Sequence, residues 1–227
     1  MQIEIWSDVV CPWCFIGKRR FEAALEKVTT GPDAISLPIE IVYRAYQLDP
    51  TAPANSSAPV REVYAKKFGG AERADKIIAQ LTETAAQDGI EFRMDIGQRS
   101  NTILAHRLLW WTGVYHDYQV QADLKEALLI AYFNQGVNVG DAEQLVEIGV
   151  REIPHETSDA EFAEFLRSFF AGDSGKGEVS EELATAISHG ITGVPTYVIN
   201  GQWSIPGAQD AETFERVLRR TAERSAS

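Results

Sequence analysis

The sequence is poor in several things, and each scarcity excludes something. Two cysteines among 227 residues are too few for a disulfide-stapled secreted scaffold. No stretch approaches the ~20 uninterrupted apolar residues of a membrane span. Cations are outnumbered, 21 Lys and Arg against 33 Asp and Glu, for a net charge of −12. That balance argues against nucleic acid or an anionic membrane surface as the main partner, because both reward clustered Lys and Arg. The N-terminus lacks the basic start and the ~7–15-residue apolar run of a signal peptide, since Met1 leads directly into Gln2-Ile3-Glu4-Ile5-Trp6. The expectation is a cytoplasmic protein. There is no internal repeat and no low-complexity tract. A content of 44% hydrophobic residues is nonetheless enough for a sizeable core, so the chain is not mainly disordered.

What is present is ordered. Ile3 and Ile5 lie in an alternating first strand that ends at Ser7-Asp8. A helix is predicted over Pro12–Val28, with Cys14, Phe21, Leu25 and Val28 at helical spacing. Pro12 suits the first helical position, where its missing N–H costs nothing. Gly31-Pro32 ends this region, and Leu37–Tyr43 alternates as a second strand. Asp49–Pro59 reads as a crossing loop. Seven helices are then predicted over about 59–68, 71–88, 101–114, 118–134, 141–150, 158–171 and 178–189. Ser158 and Glu161 have capping-box spacing, and Gly172–Gly177 reads as a flexible connector or a helix terminator. Thr196–Ile199 and Gln202–Ile205 flank Asn200-Gly201 as a β-hairpin, and a last helix is predicted over about 210–220.

The fold class this implies is α/β. An N-terminal βαβ part (1–50) and a C-terminal ββα part (190–227) share one sheet. A helical insertion (51–189) lies between them, and its last helix could pack on the sheet.

Both cysteines fall in one motif, Cys11-Pro12-Trp13-Cys14, between a strand and a helix start. The unpaired N–H groups of a first helical turn stabilise negative charge, so Cys11 is expected to be a thiolate near neutral pH and Cys14 a shielded thiol. Cys11 can then attack a disulfide and Cys14 can resolve the mixed disulfide. Pro12 rigidifies the turn, and Trp13 presents an apolar face beside the sulfur. A zinc site is disfavoured. Such sites want four ligands, no other cysteine exists, and His106, His116, His155 and His189 form no pair at metal spacing.

Three anchors in order carry a resemblance. They are Ser7-Asp8-Val9-Val10-Cys11-Pro12-Trp13-Cys14-Phe15-Ile16-Gly17, then Asn101-Thr102-Ile103-Leu104-Ala105-His106-Arg107-Leu108, then Gly190-Ile191-Thr192-Gly193-Val194-Pro195-Thr196 through Gln209. The chain resembles the DsbA family of thioredoxin-fold oxidoreductases, in its FrnE-like branch, and is related to the kappa-class glutathione transferases and hydroxychromene-carboxylate isomerases. The resemblance implies a thioredoxin fold split by a helical insertion, and thiol-disulfide exchange without a bound cofactor, glutathione being a candidate co-substrate. It makes Cys11 the nucleophile, Cys14 the resolving thiol and Pro195 a cis-proline, with the Val194 backbone facing the cysteines. Periplasmic relatives carry His where this chain has Trp13, so oxidising strength does not carry over.

Two readings of Asp8 stand: a proton carrier for the cysteines, or a carboxylate that holds the turn leaving the first strand. Asn101 is expected to cap the following helix. His106 is either a satisfied core histidine or a cleft-lining group, as Asn101 could be. One of Trp110 and Trp111 should pack the insertion, and the other could face an apolar groove. Glu40 is a candidate buried proton acceptor. Competing functions are a glutathione-dependent isomerase or transferase, against which two retained cysteines argue, and a peptide-binding module that leaves Cys11 idle. No pattern distinguishes monomer from dimer.

Overall fold

The computed structural model describes residues 1–54 and 58–225, so residues 55–57 of the expected crossing loop, and 226–227 at the C-terminus, lie outside the described residues. In chain order the elements are β1 (Gln2–Ser7), α1 (Pro12–Thr29), β2 (Glu40–Ala45), α2 (Val60–Phe68), α3 (Ala71–Gln87), α4 (Ile103–Tyr115), α5 (Tyr118–Gln135), α6 (Ala142–Glu152), α7 (Asp159–Ala171), α8 (Lys176–Ser188), β3 (Thr196–Ile199), β4 (Trp203–Pro206) and α9 (Ala211–Ser225).

The four strands form one sheet in the order β2-β1-β3-β4. β1 runs parallel to β2, with Ile5 opposite Tyr43, and antiparallel to β3, with Ile5 opposite Tyr197. This is the thioredoxin arrangement, made from the two ends of the chain, and α2–α8 come between them in sequence. Alternation along β1 sets the two faces of the sheet. Ile3 and Ile5 pack with Phe21 of α1 and with Phe214 and Leu218 of α9. Trp6 points the other way, to Ala186 and Ile191 at the end of α8.

Three local readings are corrected. β2 begins at Glu40 rather than Leu37, because Pro38 has no N–H to give a ladder; its carbonyl instead accepts from the Met1 ammonium at 2.6 Å. The hairpin loop holds Asn200, Gly201 and Gln202, since Ile199 stands opposite Trp203. Asn200 and Gly201 both take positive φ, 52° and 64°, as an Asn-Gly turn allows. α4 starts at Ile103, and Asn101 precedes its cap: Asn101 Oδ1 accepts from the Ile103 N–H at 3.0 Å, while its amide donates to the Ala52 carbonyl at 2.7 Å. Of the two readings of Gly172–Gly177 the terminator holds, for Gly172 closes α7, while Gly177 lies inside α8.

The expected capping box at Ser158 and Glu161 is present. The end of α7 is held in an unforeseen way. Arg107 of α4 is buried and donates to the carbonyls of Phe169, Phe170, Gly172 and Ser174 at 2.7–3.3 Å, where a helix C-terminus leaves acceptors unpaired. The exposed edge of β2 is covered as well. The Tyr43 N–H donates to Gln121 Oε1 at 2.9 Å and the Ala45 N–H to Glu182 Oε2 at 2.8 Å, which blunts an edge that invites pairing.

Candidate active site

α1 is shared between two cores, and the motif sits at their seam. Phe15 and Ile16 belong to the helical core with Leu108, Leu128 and Phe133, whereas Phe21 and Val28 belong to the sheet core. Cys11 is the N-cap of α1, in extended conformation, and Pro12 follows at the first helical position. The Cys14 N–H donates back to the Cys11 carbonyl at 3.0 Å. Both cysteines are free thiols, 3% and 2% exposed, beside a Trp13 that is 42% exposed. The thiol of Cys11 donates to the Val194 carbonyl at 3.5 Å, across the Val194–Pro195 cis peptide.

The two thiols are shifted in the sense opposite to the expectation of the helix dipole. The Cys11 thiol is pushed well up, first by its hydrogen bond with Cys14, then by burial and by negative charge at Cys14 and Asp8. Around Cys14, burial is the largest influence and works upward, but it is outweighed. The Cys11 thiol, the Lys125 ammonium, the Ser7 hydroxyl and the Asp8 backbone together hold Cys14 below the ordinary thiol value. Of the two thiols, Cys14 is thus the more readily ionised. Cys11 has a carbonyl acceptor beside it, which favours the thiol, while a cation lies near Cys14.

Lys125 is the residue that sequence reasoning missed. It projects from α5, is 1% exposed, and has its ammonium 5.8 Å from the Tyr43 ring centroid. Burial lowers it to about 8, against the pull of Cys14, Asp8 and Cys11. The available signal was that buried residues run almost all round α5, leaving Lys125 no wet face to occupy.

Asp8 is fully buried and holds the turn. One oxygen accepts from the Val9 N–H at 2.8 Å and the other from the Leu48 N–H at 2.7 Å. His106 Nε2 lies 3.1 Å from the first of these oxygens. His106 is therefore a buried partner of Asp8, not a lining group of the cleft, and Asn101 does not line it either. Glu40 is exposed at the start of β2 and is no proton acceptor for the cysteines. Trp111 packs among Tyr115, Phe162, Phe165 and Phe169. Trp110 covers Gly175, where a Cβ would stand 2.9 Å from the indole; neither indole faces a groove at the motif. The cleft that does exist is a cavity of about 740 Å³ beside Cys11 and Trp13, walled opposite by α2 and α3. Among the described residues, no three His, Cys, Asp or Glu side chains gather as a metal site would require, and no helix is long and apolar enough to cross a membrane.

A thioredoxin sheet, two thiols one helical turn apart and a proline loop against the first of them define the class of thioredoxin-fold oxidoreductases. Within that class the chain belongs to the DSBA-like thioredoxin domain family, which matches residues 2–219. It is similar to the crystal structure of a probable DsbA oxidoreductase from Streptomyces coelicolor, 31% identical over 97% of this chain and 89% of that one, with a TM-score of 0.83. Two more distant structures share the fold alone. The cytosolic disulfide reductase DsbM from Pseudomonas aeruginosa is 16% identical over 98% and 99% of the chains, TM-score 0.66. A 2-hydroxychromene-2-carboxylate isomerase is 15% identical over 100% and 98%, TM-score 0.65. At the level of the family the activity is that of a thiol-disulfide oxidoreductase or isomerase.

Proposed function

We propose that this protein exchanges disulfides through Cys11 and Cys14, as a cytoplasmic, FrnE-like member of its family. The observation that carries the reading is the placing of two free thiols: Cys11 borders the cavity, and Cys14 lies behind it near Ser7 and Lys125. Cys11 meets the substrate. As its sulfur attacks, its proton goes to the departing substrate sulfur. A mixed disulfide forms at Cys11 and one substrate sulfur leaves. Cys14 then gives up a proton, and its sulfur attacks Cys11, releasing the second substrate sulfur and closing the Cys11–Cys14 disulfide. The substrate gains the two electrons that the protein loses. A low-molecular-weight thiol restores the dithiol, and glutathione is the one we assign; the DsbM fold has been solved with GSH. Pro12, Trp13, Val194 and Pro195 shape the surface around Cys11, and Asp8 holds the turn beneath it.

Insulin reduction tests the assignment. Cys11→Ser abolishes turnover, and Cys14→Ser accumulates mixed disulfides that mass spectrometry counts at Cys11. Insulin reduction by Cys11→Ser at the parent rate overturns the reading. Glutathione-dependent isomerisation that survives loss of Cys14 reassigns the chain to the isomerase or transferase class.

A further inference from the structure

The cavity beside Cys11 constrains what Cys11 can meet. At about 740 Å³ it is of the size that encloses a small molecule. Its far wall is α2 and α3, which contribute Val63, Tyr64, Phe68, Ile77 and Leu81. These side chains reward an apolar body. Tyr64 and Tyr132 also line the space, and their hydroxyls make no hydrogen bond among the described residues.

Charge adds a second constraint. The chain as a whole is acidic, at −12, yet the cavity is lined by Lys66, Lys67 and Arg99 with Asp49 as the one carboxylate among its described lining residues. Asp49 is spent on Arg99, at 2.7 Å. Lys66 and Lys67 are exposed, and neither forms an ion pair among the described residues. Their surplus positive charge at the lip of an apolar recess selects an anion.

An extended protein segment fits less well. β3 already has a neighbour on each side, in β1 and β4. The Val194 carbonyl, which such a segment would use, accepts from the Cys11 thiol. The helical wall also stands over the motif, where a passing strand needs open surface.

We infer that the substrate is a small apolar disulfide with an anionic end, a carboxylate first of all, its body between the motif and α2–α3 and its charge at Lys66 and Lys67. The inference rests on the disulfide-exchange reading and names the substrate class for that site. In the reduced protein, the Cys11 sulfur bonds to one sulfur of RS–SR and the S–S bond breaks. The first RS group leaves as a thiol with one proton. Cys14 attacks the Cys11 sulfur, and the second RS group leaves as a thiol with the other proton. Two molecules of glutathione then reduce the Cys11–Cys14 disulfide and become glutathione disulfide.

The test separates binding from exchange by using the Cys11→Ser/Cys14→Ser protein, which has no thiol, with 2-naphthoate as an unreactive probe and neutral 2-naphthol as its control. By calorimetry at low salt, naphthoate binds about tenfold more tightly than naphthol. Lys66→Gln/Lys67→Gln, at two exposed positions, removes that preference, and so does added salt. Val63→Trp fills the recess and weakens both probes about tenfold or more. Absence of naphthoate binding, equal affinity for the two probes, or indifference to the lysine pair overturns the inference, whether or not Val63→Trp folds. So does an extended peptide that displaces naphthoate and binds more tightly. A wild-type protein that reduces insulin while its thiol-free form ignores naphthoate loses the substrate assignment only. Naphthoate binding together with a redox-silent wild type retains the recess and ends the exchange reading.

Discussion

A Cβ on Gly17 would stand 2.9 Å from Cγ of Pro195 and 2.9 Å from the hydroxyl of Tyr197. The second turn of α1 and the proline loop therefore meet where no side chain fits. That contact carries the Val194 carbonyl to the Cys11 thiol. It also gives a physical reason for glycine in a helix interior, where alanine is better by about 1 kcal/mol in propensity.

Gly17→Ala sets that propensity gain against overpacking, and the overpacking is the larger effect, about 1–3 kcal/mol. The urea midpoint falls with the slope unchanged, and Cys11 alkylates at a different rate because its acceptor moves. A variant as stable as the parent, with the parent's Cys11 reactivity, shows that the contact is slack.

Lys125→Met removes the cation near Cys14, so the Cys14 thiol rises toward its ordinary value. The thiolate absorbance of the reduced protein then appears at higher pH than in the parent. Stability changes too. A lysine that titrates at about 8 when folded and near 10.4 when unfolded leaves the unfolded chain holding more protons between those values. The parent therefore gains stability relative to Lys125→Met as pH rises through that window, by on the order of 3 kcal/mol. Parallel stability curves from pH 7 to 10.5 would contradict a buried ammonium.

Asp8→Ala leaves the Val9 and Leu48 N–H groups and the His106 ring without their shared acceptor. Buried donors left unpaired cost about 1–3 kcal/mol each, and the loop carrying Leu48 loosens. Hydrogen exchange at the Leu48 amide reads this directly: its protection falls by at least tenfold, while amides in β3 keep theirs relative to global stability.

Arg107→Lys keeps the charge and loses the fork. One ammonium cannot serve the carbonyls of Phe169, Phe170, Gly172 and Ser174 together. The substitution destabilises by about 2–4 kcal/mol through unpaired buried acceptors, and exchange rises first at the junction of α7 and α8. A loss confined to global unfolding, with that junction still protected, argues against this role.

What the sequence disclosed about the fold was mostly local. The step from alternating Ile3 and Ile5 to helical spacing after Cys11, the Asn200-Gly201 turn and the Ser158–Glu161 box each rest on a few neighbouring residues, and each lies where expected or within a residue or two. The motif was legible for the same reason. The ionisation of the thiols was not, because it depends on their burial by the folded chain and on Lys125, which lies far from Cys11 and Cys14 in sequence. The roles of Asn101, His106 and Glu40 failed likewise: residue type suggested a task, but the packing of α4 and the edge position of β2 decided it. The recess had no signal at all, since its apolar side chains on α2 and α3 look like ordinary core until the helices are placed over Cys11.

The order of the sheet has a consequence for synthesis. β1 leaves the ribosome well before β3, so Ile5 finds Tyr197 only after the helices between them have been made, and bringing such distant segments together is slow and entropically costly. Through most of that interval Cys11 and Cys14 are in the open, with neither the Val194 carbonyl nor the α5 lysine beside them. A nascent chain is then a bare dithiol, open to stray oxidation before it has a fold to direct it.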